Sequence, residues 1–100
     1  MNNDEIRPNL LLALQVSLLG MITSNVRGIT CGWDNNNIVI KHIFESNFSD
    51  EDVELCEEVA SEVIASFPHH NIETHQAFIP LPDSIDDEFL SAWVYLRREN

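Results

Sequence analysis

One hundred residues with 44% apolar side chains make one domain, large enough to bury a modest core without disulfides or metal. Charge is lopsided, with 17 Asp and Glu against 5 Lys and Arg and a formal net charge of -12. A field of that sign repels nucleic acid and anionic lipid, which argues against direct DNA, RNA or membrane binding, and it speeds encounter with a basic protein.

The apolar run Leu10–Ile22 is too short to span a bilayer. It also lacks the basic start and small-residue cleavage site of a signal peptide, so a cytoplasmic protein is expected. The run predicts a helix from about Pro8 to Leu19, with Pro8 in the first turn and Gly20 ending it. Leu10, Leu11, Leu14, Leu18 and Met21 form its buried stripe. Because it is apolar over much of its circumference, burial on more than one side is expected. A homodimer contact through this helix is the rival use.

A hairpin follows. Asn25–Trp33 and Ile38–Glu45 are rich in β-branched and aromatic residues, and the polar cluster Asp34–Asn37 supplies the turn between them. Period two places Ile29, Cys31 and Trp33 on one face of the first strand. Ile38, Ile40, His42 and Phe44 share a face of the second, where His42 is read as a packed residue.

From Ser49 to Phe67 the apolar residues Val53, Cys56, Val59, Ala60, Val63, Ile64 and Phe67 recur at steps of three and four, one stripe of an α-helix. Leu55 falls off that stripe. Glu51, Asp52, Glu54, Glu57, Glu58 and Glu62 make the rest of the surface almost purely acidic. Ser49 with Asp52 resembles a capping box, carboxylates in the first turn suit the positive end of the helix dipole, and Pro68 stops the helix. Every basic residue lies outside His42–Leu96, a stretch that holds all the carboxylates except Asp4, Glu5, Asp34 and Glu99.

Ile72–Ile79 reads as a third strand closed by Pro80-Leu81-Pro82, and Asp83–Glu88 as an acidic turn or single helical turn begun by Asp83 or Ser84. The last strand is roughly Leu90–Arg98. Alternation there puts Leu90, Ala92, Val94 and Leu96 on one face and Trp93 with Tyr95 on the other. Arg97 and Arg98 are expected to reduce repulsion near the acidic surface. The order αββαββ with short connections predicts an α+β fold: a largely antiparallel four-stranded sheet with two helices packed on one face.

Chemistry is hard to find along this chain. There is no phosphate-binding glycine loop, nucleophile elbow or H-E-x-x-H pattern, and only three glycines are present. Two cysteines give neither a disulfide framework nor a zinc spacing, and Cys56 sits between Glu54 and Glu57, the wrong surround for a nucleophile. His69, His70 and His75 invite a metal reading, but adjacent histidines point to different sides and a site needs three or four convergent ligands. No enzyme activity, cofactor or metal is expected.

The short chain, the αββαββ order, the acidic helix DEDVELCEE and the closing segment WVYLRRE together resemble the small acidic immunity proteins of bacterial contact-dependent growth inhibition. That resemblance implies a non-enzymatic cytoplasmic protein that binds one cognate toxin, often a nuclease, and blocks it. A nuclease needs a basic cleft for phosphates, which an acidic helix complements. The contact is accordingly expected on Glu51, Asp52, Glu54, Glu57, Glu58 and Glu62, with Asp86, Asp87 and Glu88 as a second patch and Trp33 and Trp93 as aromatic anchors. Two other classes share the sequence features. One is an acidic mimic of nucleic acid that occupies a DNA- or RNA-binding protein. The other is a non-catalytic homo-oligomeric subunit.

Overall fold

The computed structural model describes residues 3–99. In chain order they form α1 (Asn3–Ser17), β1 (Val26–Trp33), β2 (Asn37–Phe44), α2 (Asp50–Ile64), β3 (Asn71–Phe78), a 3-10 turn (Asp86–Glu88) and β4 (Ala92–Leu96). The four strands make one sheet in the order β3-β2-β1-β4. The β1–β2 hairpin is antiparallel, as its alternation implies, and its turn closes through Asp34. The Oδ1 of that residue accepts from the backbone N–H of Asn36 (3.0 Å) and Asn37 (2.9 Å).

The fold is α+β, and two of the three strand pairings are antiparallel. The third is parallel. β3 runs alongside β2 in full register from Asn37↔Asn71 to Phe44↔Phe78, because α2 carries the chain back along the sheet before β3 begins. Strands β3 and β4, consecutive in sequence, therefore lie at opposite edges. Their connection, Ile79–Ser91, crosses the face that the helices leave free.

Alternation fixes the two faces. Ile29 and Cys31 of β1 pair with His42 and Ile40 of β2, and these residues lie under the helices with Ile38, Phe44, Cys56, Val59, Val63 and Phe67. On the other face Ile85 seals the crossing segment against the sheet. A Cβ at Gly28 would sit 3.0 Å from Ile85 Cδ1 and 3.1 Å from Trp93 Cζ3, so any larger residue here requires those two side chains to give way. The buried Thr30 hydroxyl donates to the Ala92 carbonyl (2.8 Å) and accepts from Leu90 N–H (3.1 Å), which fastens the entry of β4.

Three local readings change. Helix α1 begins at Asn3 rather than at Pro8, which stands inside it. The helix accepts the lost hydrogen bond because Ile6, fully buried, anchors the additional N-terminal turn. Burial of α1 is one-sided: Ile6, Leu10, Leu14 and Leu18 are buried, whereas Leu12, Val16 and Leu19 are 60%, 59% and 74% exposed. Gly20, with φ +74°, supplies the left-handed turn after the helix.

The face assignment in β4 also fails. A bulge lets Ile29 pair with Tyr95 and Thr30 with Trp93, so the extra residue, Val94, breaks the alternation. Tyr95 and Val94 pack on the helix-side core, while Trp93 turns to the opposite face beside Phe89 (5.9 Å between ring centroids). Trp93 and Tyr95 are thus on different sides of the sheet.

Candidate functional site

Helix α2 is held in place at its start and along one stripe. Ser49 Oγ accepts from Asp52 N–H (3.1 Å), and Asp52 Oδ2 accepts from Ser49 N–H (2.9 Å), a complete capping box with Asp in the place usually held by Glu or Gln. Cys56, Val59, Val63 and Phe67 are buried, with Val53 and Ala60 half-buried beside them. Leu55 is a half-buried flank of that face, and Ile64, expected on the stripe, is 44% exposed.

What remains outward is acidic. Glu51, Glu54, Glu57, Glu58 and Glu62 are exposed. Glu54, Glu57, Glu58 and Glu62, with Ser61, line one shallow groove along the helix. Among the described residues none of these five carboxylates has a cation within ion-pair distance. Four of the five basic side chains are engaged elsewhere. Arg27 makes two bonds to Glu99 (2.8 and 2.9 Å) and a third to the Ile79 carbonyl. Arg97 binds Glu45, Glu99 and the Ser24 carbonyl. Lys41 binds Glu88 at 2.6 Å, and Arg7 lies over the Trp33 ring. Negative potential along α2 is therefore left without a local counter-charge.

The expected site residues do not form one patch. Asp52 is half-buried and committed to the helix cap. Asp86, Asp87 and Glu88 lie on the crossing segment, on the opposite side of the sheet from α2, and Glu88 is neutralised by Lys41. Trp33 is half-buried next to Arg7, at the hairpin end of the helix side. Trp93 is half-buried on the far face. A single flat partner surface that covers α2 cannot also cover Asp86 and Trp93.

The histidines do not converge either. His70 packs edge-on against Phe67, His75 approaches Glu73 at 3.3 Å on β3, and His69 is exposed. No group of three His, Cys, Asp or Glu among the described residues is placed to hold a metal ion. Cys31 and Cys56 are free and buried, and burial pushes each thiol up to about 11, as expected of core residues rather than nucleophiles. No helix among the described residues is long and apolar enough to cross a membrane.

Sequence reasoning passed over two features. Arg27, a lone cation in an apolar strand, is 2% exposed and ties β1 to the end of β3 and to Glu99. Its isolation among apolar neighbours was the available signal. The exposed α1 residues Leu12, Val16 and Leu19 are the second. Their spacing of four and three already separates them from the stripe Ile6, Leu10 and Leu14.

Fold and site define an α+β domain that presents an uncompensated acidic helix to solvent. The family model of the MafI2 immunity protein matches residues 7–99, nearly the whole chain. The chain belongs to the MafI2 immunity protein family, and that membership carries toxin neutralisation as the function and a cognate toxin as the partner. No curated protein matches the chain.

Proposed function

We propose that this protein is a non-catalytic cytoplasmic inhibitor whose α2 face, Glu51, Glu54, Glu57, Glu58 and Glu62, docks on a basic surface of its cognate toxin, a nuclease. What supports the reading is the absence of any nearby cation on that face among the described residues. Carboxylates that have no partner within their own molecule lose no internal ion pair when they meet lysines and arginines. Nucleases concentrate such cations where they hold phosphate. Charge complementarity of this kind acts chiefly on association rate and on discrimination between partners. Glu88 and Asp52 contribute less than the exposed glutamates, since each already has a partner.

The test is reversal of charge at Glu54→Lys, Glu57→Lys and Glu58→Lys together. Association with the toxin at low salt should slow by about tenfold or more, and protection of toxin-producing cells should weaken, while the circular dichroism of the unheated protein stays unchanged. Unaltered affinity at low salt would remove α2 from the interface.

A further inference from the structure

The most exposed apolar surface on the helix side runs along α1 rather than α2. Leu12 and Val16 are more than half exposed although both are large aliphatics on a packed helix. With Asn9, Ala13 and Ser17 they form one wall of a groove whose other wall is Glu62 of α2 and Ser66 just beyond its end. Glu62 also lines the acidic groove with Glu54, Glu57 and Glu58. The two grooves are thus one continuous surface, apolar on the α1 side and anionic on the α2 side.

Two occupants compete for such a groove. A second copy of this chain would form a two-fold contact, in which each patch meets its own counterpart. That arrangement joins two molecules of net charge -12 with Glu58 and Glu62 beside the groove on both, and like charges brought together across an interface oppose binding. A basic protein meets no such repulsion. Its cations face the glutamates, and an apolar ridge between them fills the groove. Interfaces usually place apolar side chains at the centre within a polar rim, and charges in that rim act chiefly on the association rate.

We infer that Leu12 and Val16 are the centre of the toxin contact, and that the toxin presents there an apolar ridge flanked by Lys or Arg. The inference rests on the acidic-face reading above and adds what holds the complex once charge has brought it together. Salt should therefore affect the two contributions differently. The glutamates govern the association rate and its salt dependence, and the α1 pair governs the dissociation rate.

The experiment uses the full chain and its cognate toxin domain, catalytically inactivated, with association and dissociation rates measured across a range of salt. Leu12→Ser with Val16→Ser should raise the dissociation rate by roughly a hundredfold and leave the salt slope of association unchanged. Leu12→Ala with Val16→Ala, which keeps helix propensity, should give a smaller rise of the same kind and guards against loss of fold. If the serine pair changes affinity less than about threefold while the charge reversal on α2 still slows association, the inference is overturned and the acidic-face reading stands. If neither variant matters, both are overturned. Sedimentation of the isolated chain as a dimer that the serine pair dissociates, with toxin affinity unchanged, would give the groove to self-association instead.

Discussion

His42 offers the sharpest test of the packing under α2. It is 3% exposed on the helix side of β2, its ring stacks on Phe44 at 6.3 Å, and its Nδ1 has no hydrogen-bond partner among the described residues. Burial pushes the imidazole down to about 4 from an ordinary value of 6.5. The folded state therefore holds His42 neutral, while the unfolded chain takes up a proton as pH falls below 6.5. Stability is complete above that value and declines as pH drops toward 4, because protons then bind the unfolded chain preferentially. The full difference is about 3 kcal/mol, of which about 2 kcal/mol is lost by pH 5. Carboxyl groups held low by partners, such as Glu99 beside Arg27, lose their contribution only in a more acidic range and do not obscure this window. Replacement by an apolar residue of similar size, His42→Leu, should abolish the loss. At pH 7.5 it should leave stability equal or raise it by about 1 kcal/mol, since an unpaired buried nitrogen goes with the ring. Urea unfolding followed by the fluorescence of Trp33 and Trp93, measured between pH 5 and 7.5, gives both curves. A difference between parent and variant that stays flat over that range would show that His42 is solvated or partnered.

Arg27→Ala should cost about 2–4 kcal/mol in urea unfolding, because it strips partners from the Ile79 carbonyl and from Glu99 at once. Glu99→Gln should cost less than half of that, since Glu99 is partly solvated and keeps a neutral acceptor for Arg27; equal losses would contradict the geometry. Gly28→Val should destabilise by about 1–3 kcal/mol through its collision with Ile85 and Trp93, visible as a lowered urea midpoint with an unchanged slope. Ser49→Ala removes the acceptor for Asp52 N–H and should lower stability by about 1 kcal/mol, a fall in Tm of about 4–8 °C.

Local signals in this chain were faithful wherever a single element decided the outcome. The stripe from Val53 to Phe67, Ile64 excepted, the Ser49–Asp52 cap and the Asp34 turn each depend on residues within a few positions of one another, and each formed as its spacing dictates. What misled was tertiary. Pro8 marks a helix start by local rules, but burial of Ile6 outweighs one lost hydrogen bond. The Val94 bulge reverses the facing of Tyr95, and no periodicity within Ala92–Leu96 announces it. The parallel placement of β3 depends on where α2 deposits the chain, which hairpin statistics do not encode. The same limit applied to the site. The acidity of α2 was plain from composition, whereas the separation of Asp86 from Glu58 and the capture of Glu88 by Lys41 required the sheet to be in place.

The connection that carries the chain from one edge of the sheet to the other makes β4 the strand most exposed to loss. It has five residues and an interrupted register, and it reaches β1 only after a long detour. Transient detachment would uncover the hydrogen-bonding edge of β1, a template on which other polypeptides stack into insoluble aggregates. A molecule with a twelve-charge anionic surplus is repelled from other opened copies of itself before such edges can meet. The anionic surplus thus also guards the least secure strand, so neutralising the α2 glutamates should yield a preparation that clouds on mild heating.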